Sequence, residues 1–220
     1  MGSISARRLA GGWDRSRFLG RSMVALPLLV ASALLAAGCH SIPPVDTKPL
    51  DMAGMTYDSI QQLQALEITT AEVAEVAAAR EAGFSDASCI AVFKIYRDRK
   101  QPFDAGEAIA GLIGARMNEA TIIDLARLDQ LGLTAGEYEA MRLAGLSDVI
   151  VVEVARHRAA NQPVLSGASL AGLKNVGVRE STLLELVRRG VPDSKANEIN
   201  SFRRHGGTDV EILKRFTGST

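Results

Sequence analysis

The sequence predicts an all-α protein made of about five stacked helix-turn-helix units, and three observations predict it. Corner residues Gly83, Arg116, Gly145, Gly177 and Gly206 recur 33, 29, 32 and 29 residues apart, so alternate corners are separated by 62, 61 and 61 residues. Pro102, Gly106, Ala110, Gly111, Leu112, Glu119, Thr121, Leu125 and Arg127 recur identically 61 places later, as Pro163, Gly167, Ala171, Gly172, Leu173, Glu180, Thr182, Leu186 and Arg188. A period of that kind marks a repeat array, here with two hairpins in each full period. Finally, no segment alternates apolar and polar residues at the two-residue period of a half-buried strand.

The elements follow in chain order. Residues 39–57 hold Pro43, Pro44 and Pro49 without an apolar period and predict an extended tether. Helical periodicity starts near Asp58, where Ile60, Leu63 and Leu66 make a first short stripe, and the helical-repeat domain is predicted over 58–220. Seven and four places before the corners stand Val76 and Ala79, Ile109 and Leu112, Tyr138 and Met141, Leu170 and Leu173, Ile199 and Phe202. Each pair shares one face of a first helix.

Several first helices also open on start signals. Thr69 with Glu72, Asp104 with Glu107, and Thr134 with Glu137 have capping-box spacing, preceded by Ile68, Phe103 and Leu133. A corner glycine can take the left-handed conformation that ends a helix, which Arg116 does at greater cost, so the second turn is expected to differ. Gly106, Gly111, Gly167 and Gly172 are expected to allow close helix packing.

Second helices start just past each corner. Ser85, Asn118, Ser147 and Thr208, two places past, are residues that cap by accepting backbone N–H bonds, whereas Arg179 holds the equivalent place. Three places past come Asp86, Glu119, Asp148, Glu180 and Asp209, expected to sit in the positive first turn of the second helix. The apolar sides of these helices are predicted from Cys89, Ile90 and Phe93; Ile122, Ile123 and Ala126; Val151, Val152 and Ala155; Leu183, Leu184 and Val187; Ile212, Leu213 and Phe216. A single hairpin cannot bury its apolar face alone, so neighbouring units must stack.

Composition narrows the chemistry. His40, His157 and His205 lie in different segments, and no Cys/His pair has metal-ligand spacing, so neither metal nor cofactor is expected. There is no Gly-x-Ser-x-Gly elbow and no glycine-rich phosphate loop. Catalysis is therefore not expected; the enzyme alternative would need acids such as Asp104, Glu107, Asp124 and Asp129 to converge in a pocket. Few aromatic residues remain past Trp13, which counts against stacking platforms for sugars or single-stranded nucleic acid. Cys89 sits in an apolar run and is expected to be buried.

The formal charge of zero is unevenly spread. Residues 39–140 carry eight Lys/Arg against sixteen Asp/Glu, a net of −8, and residues 141–220 carry twelve against eight, a net of +4. Eleven places past the corners stand Lys94, Arg127, Arg156 and Arg188, with Arg158 and Arg189 close by. Cations belong in the negative last turn of a helix, and repetition should also align these six along one edge of the stack. Such a basic edge is the predicted alternative binding surface, suited to an anionic envelope polymer or lipid headgroups.

The amino terminus carries the address. Arg7, Arg8, Arg15, Arg17 and Arg21 precede an uncharged, mostly apolar stretch from Ser22 to Gly38, the order of an export signal, and the stretch is short for a permanent span. It closes on Leu34, Leu35, Ala36, Ala37, Gly38 and Cys39, which resembles the lipobox of bacterial lipoprotein precursors, although Ala36 stands where leucine is commonest. The resemblance implies a signal peptide over 1–38, lipid on Cys39, and a protein held on the membrane, with His40 in place of aspartate pointing to the periplasmic face of the outer membrane. The domain is similar to other helical-hairpin repeat proteins, but the tetratricopeptide signature is missing. Residues 170–188 look somewhat like a helix-hairpin-helix DNA motif, yet Asn175 replaces its first glycine, and export argues against a nucleic-acid partner. The expected function is a non-catalytic protein-interaction module tethered in the bacterial envelope.

Overall fold

A computed structural model describes residues 45–132 and 134–218; residues 1–44, with Cys39 and the expected signal, together with Leu133 and the last two residues, lie outside the described residues. The corners govern the architecture. Gly54, Gly83, Gly145, Gly177 and Gly206 all have left-handed backbone, and so does Arg116 at φ 60°. After each corner the chain folds back onto the helix just ended. The N–H of Phe84 donates to the Ala79 carbonyl at 3.1 Å, and the N–H groups of Met117 and Leu146 donate to Leu112 and Met141 at 3.0 Å. Met55, Phe84, Met117, Leu146 and Val178, each directly after a corner, are buried and close the helix end with an apolar contact.

The turn at Arg116 was expected to differ and does not. It makes the same pair of backbone bonds as Gly83, because burial of Met117 and Leu112 fixes the chain on both sides. A second set of left-handed turns joins one hairpin to the next, at Glu67, Lys100, Asp129, Asn161 and Gly190. Only the last is glycine, so composition gave no sign of the others.

Among the described residues the fold is all-helical, with twelve α-helices in six hairpins. They are α1 (Lys48–Met52) with α2 (Tyr57–Ala65), α3 (Thr70–Glu81) with α4 (Asp86–Asp98), and α5 (Gly106–Gly114) with α6 (Glu119–Arg127). Then follow α7 (Ala135–Leu143) with α8 (Asp148–Ala159), α9 (Gly167–Asn175) with α10 (Glu180–Arg188), and α11 (Ala196–Arg204) with α12 (Asp209–Thr217), the last pair preceded by a short 3-10 turn. Each odd helix packs on the next odd helix and each even helix on the next even one, which makes two layers with the core between them.

The sixth hairpin corrects the expected tether. Residues 48–52 are helical, Leu50 and Met55 are buried, and Thr56 caps α2, so the array begins ahead of residue 57. Gly54 is the missed corner, and with it the spacings become 29, 33, 29, 32 and 29. A five-residue first helix has too few apolar positions for a period to be read, which is why the segment passed for a tether.

The predicted first-helix pairs are buried, except that Phe202 is half-exposed. Close packing holds at Gly106, where a Cβ would lie 2.1 Å from the Glu75 carbonyl oxygen of α3, and at Gly167, where it would meet Met141 and Glu137 of α7. At Gly111 a Cβ would meet the Glu139 side chain, whereas at Gly172 the space is open and packing does not require glycine. The Thr69 and Glu72 capping box forms. The other two do not: Ala105 is the first cap of α5, and Glu137 faces Arg158 and Gly167 instead of Thr134. No helix among the described residues is long and apolar enough to cross a membrane.

Candidate functional site

The five carboxylates past the corners are the most regular polar feature of the sequence, and they reach across to the preceding hairpin. Asp86 accepts from the Thr56 backbone N–H and hydroxyl, both at 2.9 Å. Glu119 accepts from the Ser85 backbone N–H at 3.2 Å and from the hydroxyls of Ser85 and Ser88. Asp148 accepts from Asn118, Glu180 from the Ser147 N–H at 3.0 Å, and Asp209 from the Arg179 N–H at 3.3 Å. Each carboxylate thus caps the neighbouring second helix as well as occupying the first turn of its own. Ser147 makes no cap bond of its own within α8.

Cations three places before the corners complete this clasp. Arg80, Arg142, Lys174 and Arg203 donate to the carbonyls of Gly54, Arg116, Gly145 and Gly177, each belonging to the preceding corner. Arg80 also pairs with Asp86 at 2.7 Å, and Arg142 with Asp148 at 2.8 Å. Burial tends to raise the pKa of Asp86 and Glu119, but the donated hydrogen bonds outweigh it and hold both below the ordinary value. Glu180 is held low chiefly by its hydrogen bonds to Ser147. These bonds tie each hairpin to the one before it.

One polar node escaped the sequence reading in its full extent. The buried Glu72 accepts from the N–H of Thr69 and the N–H of Phe103, both at 2.9 Å, and pairs with Arg97, which also donates to the carbonyls of Leu66 and Glu67. Burial raises its pKa, but these donors bring it below the ordinary value. Sequence spacing showed the capping box; nothing showed that Arg97 of α4 would staple it.

The six predicted edge cations separate into different roles. Arg158 turns inward, pairs with Glu137 at 2.6 Å and lies over the Tyr138 ring, so it belongs to the packing of its hairpin. Arg127 pairs with Asp124 and Arg156 with Glu153, each within one helix, and Arg189, directly after α10, pairs with Glu185. Lys94 and Arg188 are exposed, and among the described residues no carboxylate pairs with either. The aligned positive strip is therefore largely neutralised, and single free charges remain at α4 and α10.

The even-helix layer also bears a feature that the sequence reading placed in the core. Ile90, Ile123, Val152, Leu184 and Leu213, seven places past successive corners, are only half-buried; all but Val152 pack against the edge of the core. Between α2 and α4 a groove of about 450 Å³ opens, with Thr56, Ser59 and Gln62 on one wall and Asp86, Ala87 and Ile90 on the other. Between α6 and α8 a second groove of about 290 Å³ is lined by Asn118, Thr121 and Asp124 facing Asp148, Val149 and Val152. Every one of these residues in the second groove stands 62 places after its counterpart in the first. Arg156 and Arg188 form the rim of the second groove.

The acids named for the enzyme alternative meet only in part. Asp104 and Asp129 line a shallow depression beside Tyr96, whose pKa is pushed up to about 12 by burial and then by the charges of these two acids. Asp129 is paired with Arg99 at 3.2 Å, and Asp124 lies in the α6/α8 groove instead. Among the described residues no group of three or more His, Cys, Asp or Glu side chains is placed to hold a metal ion. Cys89 is buried, and burial, followed by the Asp86 charge, pushes its thiol up to about 12, far from the range of a reactive thiolate.

Comparison of the chain with protein-family models, with curated proteins and with solved structures gives no match.

Proposed function

We propose that this protein is a non-catalytic helical-repeat interaction module, tethered to a membrane of the bacterial envelope through lipid on Cys39. The observation that carries the interaction role is the recurrence of one groove, with six equivalent lining residues, at two places on one layer of a stacked array. Stacks of this kind offer extended surfaces in place of a single deep pocket. The tether rests on the basic segment, the apolar segment and the terminal Leu34–Cys39 sequence. Several acyl chains would make such an anchor stable, since each buried methylene adds about 0.8 kcal/mol.

Two measurements test the reading. Metabolic labelling with a fatty-acid analogue should mark the chain and its membrane fraction, and Cys39→Ser should abolish both; labelling that persists in the variant would remove the tether. Crosslinking in intact cells should capture a discrete envelope protein. Recovery of polymer alone would favour the basic-edge alternative, and recovery of nothing would remove the interaction role.

A further inference from the structure

The even-helix layer shows what kind of partner its grooves suit. Resting on the interaction reading above, we infer that this face binds an extended polypeptide segment that carries carboxylates between apolar side chains, running across α2 to α10 through the two equivalent grooves.

The apolar part of that pattern follows from the groove walls. Ala87 and Ile90 in one groove, and Val149 and Val152 in the other, offer aliphatic surface beside hydroxyl and amide groups at Thr56, Ser59, Asn118 and Thr121. Val149 is 55 % exposed, an apolar side chain with nothing among the described residues to cover it.

The charge part follows from which cations are free. In the second groove Asp124, Asp148 and Glu153 are matched by Arg127, Arg142 and Arg156, which leaves Arg188 as the one lining cation without a carboxylate partner among the described residues. The position equivalent to Arg156 beside the first groove is Lys94, one turn beyond Ile90. There Ala91 stands where Glu153 would pair with it, so Lys94 is free as well. The second groove thus has aliphatic surface and one unmatched positive charge in its lining, and on α4 the exposed Lys94 lies one turn past the first groove's Ile90; both complement a carboxylate next to an apolar side chain. A uniform polyanion would match the charges and leave the aliphatic surface unused.

Geometry sets the spacing. Packed helices lie about 8–10 Å apart, so grooves two helices apart are separated by about 16–20 Å. At about 3.3 Å per residue that is five or six residues of extended chain, short enough for one linear motif to enter both.

The test is selection from a displayed library of random twelve-residue peptides on the purified full chain. The expected result is enrichment of peptides that combine Asp or Glu with Leu, Ile, Val or Phe, with selected peptides binding at least about tenfold more weakly to the Lys94→Glu, Arg188→Glu double variant and several-fold more weakly to Val149→Ser. All three side chains are exposed, and unchanged helicity would show that the variants fold. Enrichment of Lys- or Arg-rich peptides, no enrichment, or affinity that survives the double variant would overturn the inference. So would full displacement by polyphosphate combined with no effect of Val149→Ser, which is the result an anionic-polymer site would give. Crosslinking of an envelope protein through the odd-helix layer would leave the interaction module standing and remove this face as its site.

Discussion

Removing the Asp148 carboxylate should uncouple the third hairpin from the fourth. In Asp148→Ala, the Asn118 N–H loses its acceptor at 3.1 Å, the Thr121 hydroxyl loses one at 3.2 Å, and Arg142 loses its ion pair at 2.8 Å. A hydrogen bond to a charged group contributes about 1.5–3 kcal/mol, but the two bonds and the ion pair are not additive. Asn118 is exposed and can turn to water, and Arg142 keeps the carbonyls of Arg116 and Leu146, so the realised loss should be about 2–3 kcal/mol. Stability in a repeat array is approximately a sum of unit and interface contributions, so a loss of this size at a central interface acts on cooperativity as well as on the total. Urea unfolding followed by circular dichroism should show a lower midpoint and a broadened or divided transition. The matched change at the last interface among the described residues, Asp209→Ala, should only loosen α11 and α12. A single sharp transition for Asp148→Ala, within about 0.5 kcal/mol of the parent, would refute the clasp as an energetic element.

Three further outcomes follow from the same structure. Glu72→Ala removes the acceptor of the Phe103 N–H and leaves Arg97 without its buried partner, and should cost about 3–5 kcal/mol by chemical denaturation, among the largest single losses in the chain. The pKa values of Glu72, Asp86, Glu119, Glu180 and Asp193 are all depressed in the fold, so their contribution is complete above the ordinary glutamate value of 4.5; it is lost as pH falls through the folded values, and midpoints should be flat from pH 5 to 7 and fall below pH 4.5. Gly106→Ala should destabilise by about 1–3 kcal/mol, because its Cβ meets backbone, while Gly172→Ala, with open space around it, should stabilise by about 0.5–1 kcal/mol; equal effects in thermal melts would contradict the packing assigned to the two glycines.

What the sequence made legible was local and periodic. The corner glycines and the caps Ser85, Asn118 and Thr208 bond to residues only a few places away, so their spacing in the chain equals their spacing in space. The reach of Asp86 back to Thr56, or of Arg97 to Glu72, links residues that only the stacking brings together, and no spacing rule displays it. The same limit explains the partial burial seven places past the corners. Ile90, Ile123, Val152, Leu184 and Leu213 lie on the apolar side of their helices, and whether that side is covered depends on how far the neighbouring helix overlaps it. Gly54 was a glycine like the other corners, but a five-residue helix before it gave no period to read. As for the site, its charges were visible as a strip, and only the structure separates paired cations such as Arg127 from Lys94 and Arg188, which no described carboxylate neutralises.

The two-hairpin period has a physical origin in helix length. α4 and α8 run to 13 and 12 residues, whereas α2, α6 and α10 have nine; α12, next in the long series, has nine as well and departs from the alternation. The extra turn of each long helix carries an arginine, Arg97 or Arg158, that folds back onto a glutamate of its own hairpin, Glu72 in α3 or Glu137 in α7. Those glutamates then accept from the N–H of Phe103 or of Gly167 at the start of the next hairpin. A long hairpin is thereby stapled within itself and to its successor, while the short hairpin before it meets it through the aspartate clasps of Asp86 and Asp148. Grooves open at these two aspartate junctions, where the carboxylate is one methylene shorter than at Glu119 and Glu180. Lengthening Asp148 to glutamate would therefore test whether clasp length shapes the groove: if it does, peptide affinity at the second groove should change while the unfolding midpoint stays within about 1 kcal/mol of the parent.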